Sequence, residues 1–286
     1  MAVFPSRVPF GWWNGRWPPR TACRTTLHKR CGQLNGVARG NIPDSGGLRR
    51  ARVGGSWFYN ERHKTRGESR RDDVTFAIIG SGNIGSAVAG HFARIGRPVS
   101  VATARGPEAV APLAQRLGSA IEPAELADAL RADVVVLAVP FEAVEALVRQ
   151  VDDWAGRIIV DATNAIDYTD FSAADLDGRA SSDLVGEWAN GARVVKAFGH
   201  TWAKVLAREP GDGHGGRRVL FLSGNDAAAN AEVAALITDF GFEPIDLGRH
   251  DEGGLLQQFG GPLTTRSFIS QPIGGAGPAE MDLIES

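Results

Sequence analysis

Cysteine is almost missing from this chain of 286 residues, and its two copies, Cys23 and Cys31, both precede residue 74. The body of the chain, defined here as residues 74–286, therefore offers no thiol for catalysis, disulfide formation or metal binding. The histidines of the body are scattered without the spacing typical of metal ligands. We expect no bound metal and a reducing, cytoplasmic setting.

Long apolar runs are also lacking. A membrane-spanning helix needs roughly 18–20 consecutive apolar residues, and no stretch of the sequence approaches this length. No uninterrupted apolar segment of the kind found in secretory signals follows Arg7. We therefore expect no membrane partner.

Acidic residues are scarce in the first part of the chain. Residues 1–73 hold 15 Lys and Arg against 5 Asp and Glu, whereas residues 74–286 hold 16 against 28, so the net charges are +10 and −12. Gly, Pro and Arg interrupt every apolar run before residue 74, which leaves no helical or alternating period. We predict that residues 1–73 form a disordered N-terminal extension.

Three interpretations of this extension remain open. It is rich in Arg, Gly, Pro, Ala and Trp, which GC-rich DNA upstream of a gene encodes when it is translated, and Val74 would then be the true start. It can equally be a natural disordered segment. The third interpretation is a targeting segment or a basic arm for nucleic acid, although GWWNGRWPPR does not form an amphipathic helix. The composition favours the first, and we expect no nucleic-acid partner.

The body alternates strand-like apolar runs with helical patterns, which predicts an α/β fold with a doubly wound parallel sheet of the Rossmann type. The expected strands cover residues 74–79, 97–103, 133–139, 157–163, 192–198, 217–224 and 243–248. The expected helices cover residues 83–95, 107–118, 122–130, 141–151 and 227–240, and a further helix starts near residue 255 and breaks at Gly260–Pro262. We divide the body into a dinucleotide-binding domain, residues 74–197, and a smaller C-terminal α/β domain with a loose tail, residues 198–286.

Three glycines after the first strand have the spacing G-x-G-x-x-G and open the first helix, which is the context that a dinucleotide loop requires. Gly80 permits the tight turn, Gly82 lets a pyrophosphate approach the backbone, and Gly85 lets the helix pack on the strand. The start of the helix adds free N–H groups and a partial positive charge. A plain strand–helix turn is the alternative. The predicted cofactor-binding residues of this loop are Gly80, Ser81, Gly82, Asn83, Ile84 and Gly85.

The end of the second strand indicates which nucleotide is bound. The acid that holds the ribose of NAD is expected about 20 residues after the glycines. The sequence there is Thr103, Ala104 and Arg105, with no carboxylate before Glu108. Arg105 offers a charge-assisted contact to a 2′-phosphate, and Thr103 adds a hydroxyl. We therefore predict NADP as the cofactor; the alternative is that Arg105 is only a solvated residue at a helix start.

Three further strand ends are expected to face the same crevice. Ala138, Val139 and Pro140 are small or rigid enough to let the nicotinamide or its ribose pass closely. Thr163 and Asn164 are hydrogen-bonding candidates, whereas Asp161 is interpreted as either a functional or a loop-capping residue. The segment KAFGHTW, residues 196–202, supplies a candidate catalytic residue, His200, which would orient a ring or donate a proton. A purely structural role is the alternative for this histidine.

With these strand ends assembled, the body resembles the NADPH-dependent coenzyme F420 reductases and the wider family of deazaflavin-linked NADP oxidoreductases. The resemblance rests on the segments IIGSGNIGSAVA, TARGPE, VVVLAVP, IIVDATNAI, VVKAF, GNDAAANAEVAALITDFGFEPIDLG and LLQQFGGPLT. It implies a Rossmann domain with a smaller C-terminal domain, hydride exchange between NADPH and coenzyme F420 as co-substrate, and a homodimer.

Two other functions stay open. Imine reductases and 3-hydroxy-acid dehydrogenases share the dinucleotide loop, but they need a long all-helical C-terminal domain, whereas this sequence returns to strand–helix–strand. A non-catalytic NADPH sensor is the second, because a Rossmann domain binds nucleotides without necessarily reacting. The main prediction is an oxidoreductase that acts on a small-molecule electron acceptor, since the cofactors carry the chemistry and no acid–base pair stands out in the sequence.

Overall fold

The computed structural model of the chain describes residues 74–271. The predictions for residues 1–73 and for the tail after residue 271 lie outside the described residues. Within the described part, no helix combines the length and apolar character needed to cross a membrane.

One large sheet organises the described residues. The strands are β1 (Phe76–Ile79), β2 (Val99–Ala102), β3 (Ile121–Pro123), β4 (Val134–Leu137), β5 (Ile158–Asp161), β6 (Ile166–Asp167), β7 (Ser172–Ala173), β8 (Arg193–Ala197), β9 (Arg217–Gly224), β10 (Glu243–Asp246) and β11 (Ile269–Ser270). Their order in the sheet is β3-β2-β1-β4-β5-β8-β9-β10, with β11 paired to β9, while β6 and β7 form a separate hairpin.

Helices cover both faces of this sheet. They are α1 (Asn83–Arg94), α2 (Ala111–Leu117), α3 (Leu126–Ala129), α4 (Val144–Val148), α5 (Ser181–Trp188), α6 (Ala203–Leu206), α7 (Ala227–Asp239) and α8 (Leu255–Gln257). Short 3₁₀ turns occupy Pro107–Ala109 and Phe141–Ala143, and a π-helical turn, His250–Gly254, leads into α8.

The central strands are buried on both faces because their sequences are continuous apolar runs. Every residue of β1, β4 and β5 is buried. Side chains on one face join those of α1 and α7 around Phe92 and Phe242, and side chains on the other face pack around Trp154. The predicted α/β class with a Rossmann-type sheet is confirmed.

Two strands run against the predicted direction. Neighbours from β3 to β8 are parallel, but β9 is antiparallel to β8, with Ala197 opposite Leu222, and β10 is parallel to β9. The expectation of a parallel sheet is therefore wrong for β9 and β10. The segment between β8 and β9 contains only the short α6, and antiparallel neighbours need no long crossover helix. The predicted domain boundary at residue 197 falls between these two paired strands and stays a prediction.

Three predicted helices differ from the structure. Residues 122–130 were expected to be helical, but Ile121–Pro123 form the edge strand β3 and only Leu126–Ala129 are helical. The predicted helix 107–118 begins as a 3₁₀ turn, and α2 starts at Ala111 so that Pro112 lies in its first turn, where a missing N–H costs nothing. The predicted helix 141–151 likewise begins with a 3₁₀ turn and is regular only in α4. The helices α5 and α6 were not predicted.

Candidate functional site

The glycine loop links β1 to α1, and two of its glycines are required by the packing of the protein, because a side chain at either position would clash with the backbone. Gly80 has a φ of 111°, and a Cβ at this position would lie 2.3 Å from the carbonyl oxygen of Ala138. A Cβ on Gly85 would lie 1.9 Å from the carbonyl oxygen of Gly80. Around Gly82, by contrast, no atom lies within 4 Å of the added carbon. Gly82 is therefore the one glycine of the motif at which the backbone is open to a ligand.

The start of α1 is built to receive an anion. Gly82 is its N-cap residue, no side chain caps the helix, and the first turn contains no acid. The first N–H groups of a helix have no partner within the helix, and they carry a partial positive charge. The hydroxyl of Ser86 donates to the carbonyl oxygen of Ser81 at 3.0 Å and so braces the loop. A phosphate group fits this arrangement.

The segment after β2 forms a tight turn beside the loop. The hydroxyl of Thr103 accepts a hydrogen bond from the N–H of Arg105 at 3.2 Å and donates to the carbonyl oxygen of Gly106 at 3.3 Å. The predicted hydroxyl is thus occupied in shaping the turn. Ala104 and Arg105 are exposed, and the Arg105 guanidinium forms no ion pair with any residue that the structure describes. It is available to an external phosphate.

A single cleft of about 370 Å³ joins these two features. Its polar end is the glycine loop together with the turn after β2, and its other end is apolar. The lining residues are Ile79, Gly80, Ser81, Gly82, Thr103, Ala104, Arg105, Leu126, Ala138, Val139, Pro140, Ala143, Ala146, Leu147 and Gln150. The structure therefore brings together the predicted residues from the ends of β1, β2 and β4. Asn83, Ile84 and Gly85 lie directly behind them in the first turn of α1.

A buried ion pair lies at the ends of β5 and β8. Lys196 Nζ and Asp161 Oδ2 are 3.1 Å apart, and the two side chains are 2% and 0% exposed. Burial alone would raise the pKa of the Asp161 carboxyl, but Lys196 and hydrogen bonds from Ser182 and Thr163 outweigh it, so the pKa is lowered. Asp161 is therefore a charged, fully paired group and not a proton donor at neutral pH.

The backbone after this pair is tightly turned. Phe198 has a φ of 65°, and the N–H of Gly199 donates to the carbonyl oxygen of Ala197 at 2.8 Å, which is the geometry of a γ-turn. Such a conformation is strained in a buried phenylalanine, and strain of this kind clusters at functional sites. A Cβ on Gly199 would lie 3.1 Å from the carbonyl oxygen of Ala162. The ends of β5 and β8 therefore touch.

Asn164 bridges these two strand ends. Its Nδ2 donates to the carbonyl oxygen of Gly199 at 3.1 Å. Its Oδ1 is buried and has no hydrogen-bond partner among the described residues. A buried acceptor without a partner is unusual in a folded protein and fits a donor supplied by a ligand.

His200, the predicted catalytic residue, is buried behind this turn. It is 2% exposed, and its ring stands edge-on to Phe221 with 5.1 Å between ring centroids. Burial lowers the pKa of His200 from 6.5 to about 4, so the ring is neutral at neutral pH. Its carbonyl oxygen accepts a hydrogen bond from Thr265 N at 2.7 Å, which ties the segment after α8 to this loop. The neighbouring Trp202 ring is 59% exposed.

Sequence reasoning missed Ser182 and Gln257. The Ser182 hydroxyl donates to Asp161 Oδ2 at 2.5 Å from the start of α5, 21 positions away in the chain. The Gln257 side-chain amide lies 2.8 Å from Ser223 Oγ and is buried beside β8 and β9. No motif links these positions in the sequence. The sequence does contain one signal for this cluster, because an Asp and a Lys of opposite charge each stand at the end of an apolar strand.

Comparison with known proteins agrees with this geometry. Residues 75–165 match the model of a family described as NADP oxidoreductase, coenzyme F420-dependent. A hypothetical protein from Sinorhizobium meliloti is similar in structure, with 47% sequence identity, a TM-score of 0.68, and coverage of 71% of this chain and 98% of its own. A candidate F420-dependent NADP-reductase from Arthrobacter sp. FB24 is 29% identical, with a TM-score of 0.53 and coverage of 61% of this chain and 85% of its own. Residues 75–165 of this chain are therefore a domain of the family of coenzyme F420-dependent NADP oxidoreductases.

Proposed function

We propose that this protein is an NADPH-dependent reductase that passes a hydride to a deazaflavin such as coenzyme F420, or to a similar planar acceptor. The observation that carries the proposal is the cleft in which an open Gly82, the uncapped start of α1 and the exposed Arg105 face the same space. The family, whose members are NADP oxidoreductases, supports the choice of cofactor.

The described residues offer a candidate contact for each part of NADP. The N–H groups at the start of α1 would hold the pyrophosphate, as they do in other Rossmann folds. Arg105 would hold the 2′-phosphate, and the apolar end of the cleft around Leu126 and Leu147 would cover the adenine. The unpartnered Asn164 Oδ1 fits the carboxamide of the nicotinamide.

Bound NADPH would supply the hydride, so the protein has to bind, orient and exclude water. The neutral ring of His200 suits an orienting role and not that of a cationic acid, because its pKa is lowered to about 4. The Gly199–Trp202 loop and the segment from Gly254 to Thr265 are joined by the bond between Thr265 N and His200 O. These two segments, with the exposed Trp202 ring, would line the acceptor side.

The course of the chain after residue 216 argues against an imine or 3-hydroxy-acid reductase. These enzymes need a long all-helical domain for their substrates, whereas β9, α7 and β10 return to the sheet here. The architecture therefore favours an acceptor that is held at the carboxyl ends of the strands.

Transfer of a deuteride tests this proposal. Purified protein is mixed with oxidised coenzyme F420 and NADPH that carries deuterium on the reacting nicotinamide carbon, and flavins and quinones are offered in parallel. We expect the deazaflavin absorbance to fall and the deuterium to be found on the product without exchange into water. Binding of NADPH with no change in any acceptor over hours would contradict the proposal and favour a non-catalytic NADPH-binding protein.

We also propose that the chain forms a homodimer, which the family resemblance implies. The exposed rings of Tyr168 and Phe171, on and beside the β6–β7 hairpin, support an interface in this region. Light scattering coupled to gel filtration measures the mass directly. A monomer at micromolar concentration would contradict this part of the proposal.

A further inference from the structure

The proposed function gives no role to the ion pair between Asp161 and Lys196. Each buried charge carries a large desolvation penalty, and an apolar pair of similar volume often stabilises a fold equally well. The pair joins neighbouring strands whose other residues are mostly apolar, at the register position where Asp161 faces Lys196. Stability alone therefore gives no reason for charges at this point.

The hydrogen bonds of the pair converge on Thr163. The N–H and the hydroxyl of Thr163 donate to Asp161 Oδ1 at 2.9 and 2.6 Å. Lys196 Nζ donates to the carbonyl oxygen of Thr163 at 3.2 Å. All three polar groups of Thr163 are thus held by the two charged side chains, and the Ser182 hydroxyl fixes the other carboxylate oxygen.

Thr163 directly precedes Asn164, so the pair fixes the backbone from which the Asn164 side chain extends. The bond from Asn164 Nδ2 to the carbonyl oxygen of Gly199 then orients the amide. Asn164 Oδ1 is left buried and without a donor among the described residues. A primary amide N–H is a donor that would satisfy this oxygen.

We propose that Asp161 and Lys196 are positioning residues for the nicotinamide end of the cofactor, because by holding Thr163 they hold Asn164 Oδ1 ready for the carboxamide N–H. This inference rests on the proposed function, since it requires NADP to be bound with its nicotinamide at the ends of β4, β5 and β8. Neither charged side chain contacts the ligand. Their effect is therefore confined to the nicotinamide half, and the adenosine half is held by the glycine loop and Arg105.

The test compares two ligands and a charge-neutral double variant. Asp161→Asn combined with Lys196→Met removes both charges at nearly constant volume and leaves a side-chain oxygen for Thr163, so the variant is expected to fold. NADPH is one ligand, and adenosine 2′,5′-bisphosphate, which lacks the nicotinamide, is the other. We expect the Kd of NADPH to rise about tenfold, as for the loss of one hydrogen bond, while the Kd of the bisphosphate changes less than about twofold.

Two further variants separate positioning from general destabilisation. Val195→Ala makes a cavity in the core beside Lys196 without touching Thr163, and we expect it to lower Tm while both affinities stay unchanged. Asn164→Ala removes the residue through which the pair is inferred to act. In that background, neutralising the pair should weaken NADPH by less than about twofold more, because the two changes remove the same interaction.

The outcomes distinguish this inference from the proposed function. Equal weakening of both ligands, a loss restricted to NADPH in Val195→Ala, or full additivity with Asn164→Ala would each overturn the positioning role. A wild-type protein that binds NADPH no more tightly than the bisphosphate would instead count against the proposed function, because the nicotinamide would then make no contact.

Discussion

The guanidinium of Arg105 stands exposed at the polar end of the cleft, with no carboxylate paired to it among the residues described. A charge-assisted contact to a 2′-phosphate would form there without breaking an existing ion pair. We expect Arg105→Ala to weaken NADPH by about 1–3 kcal/mol and to leave NADH nearly unchanged. Titration of both nucleotides measures this difference.

Arg116 provides the matched control for this substitution. It is also exposed and lies on α2, but it does not line the cleft. Arg116→Ala should leave the affinity for NADPH within about twofold, because long-range attraction between exposed charges is screened by salt. Similar losses for NADPH and NADH in Arg105→Ala would mean that this residue does not recognise the 2′-phosphate.

His200 makes the stability of the protein depend on pH. Its pKa in the folded state is about 4, below the value of 6.5 for an unperturbed histidine. The unfolded state therefore binds the proton more readily, and folded stability is lost as the pH falls from 6.5 towards 4. Between pH 7.5 and 5.5 we expect the free energy of unfolding of the wild type to fall by about 1.4 kcal/mol more than that of His200→Gln.

Urea denaturation of both proteins at the two pH values measures this contribution. Asp161 also has a lowered pKa, but its carboxyl titrates in a more acidic range and is present in both proteins, so it cancels in the comparison. Parallel loss of stability in wild type and variant would contradict the assignment of a neutral, buried ring.

At the scale of single residues, the sequence predicted which side chains lie near one another, but not which hydrogen bonds each of them forms. Arg105, Gly82 and Val139 line one cleft as expected, because the carboxyl ends of parallel strands share an edge of the sheet. The hydroxyl of Thr103 closes its own turn, a role that the sequence did not indicate, and its predicted contact with the nucleotide stays a prediction. The link from Asp161 to Ser182 spans 21 positions and depends on how α5 packs, which no local pattern encodes.

The first turn of α1 decides whether β1 and the helix can pack as observed. Gly85→Ala would bring a methyl group to 1.9 Å from the carbonyl oxygen of Gly80, so the loop has to move. We expect this substitution to cost about 1–3 kcal/mol of stability, in the range of overpacked cores, and to weaken NADPH as well. Gly82→Ala meets no atom within 4 Å and should weaken NADPH while Tm changes little.

Gly90→Ala is the control within the same helix. Its added methyl also meets no atom within 4 Å, and the position lies in the second half of α1, away from the first turn. We expect a gain in stability of up to about 1 kcal/mol from the better helix propensity of alanine, with unchanged NADPH affinity. Thermal unfolding and nucleotide titration of the three variants give the result, and equal behaviour of Gly82→Ala and Gly90→Ala would contradict a phosphate at the loop.

Elements with long and regular patterns were the ones predicted correctly. Residues 217–224 form β9 as expected, and α7 differs from its prediction by one residue at its end. The edge strand β3 has three residues, too few to show an alternating period, so the sequence pattern around it indicates a helix over 122–130 instead. The apolar pattern of a strand also carries no information about its direction, which is why the reversal of β9 and β10 was missed.

At the scale of the whole described molecule, the first strand is an interior strand of the large sheet. The strand β1 lies inside the sheet, between β2 and β4, so its two edges are already paired. Just before it, Thr75 and Asp133 are bound reciprocally: the N–H and hydroxyl of Thr75 donate to Asp133 Oδ2 at 2.9 and 2.7 Å, and Asp133 N donates to Thr75 Oγ1 at 3.0 Å. These bonds also lower the pKa of the Asp133 carboxyl.

We therefore expect a chain that begins at Val74 to fold, and to bind NADPH, as the full chain does. A chain that begins at Phe76 is the sharper comparison, because it keeps every residue of β1 but loses the Thr75–Asp133 bonds and leaves the Asp133 carboxylate without its donors. Its Tm should be lower by several degrees, since about 1 kcal/mol shifts the melting of a domain of this size by roughly 2–4 °C. Its NADPH affinity should be retained, because Thr75 lies at the opposite end of β1 from the glycine loop. A large loss of Tm or of nucleotide affinity already in the chain that begins at Val74 would show that residues 1–73 contribute to the fold.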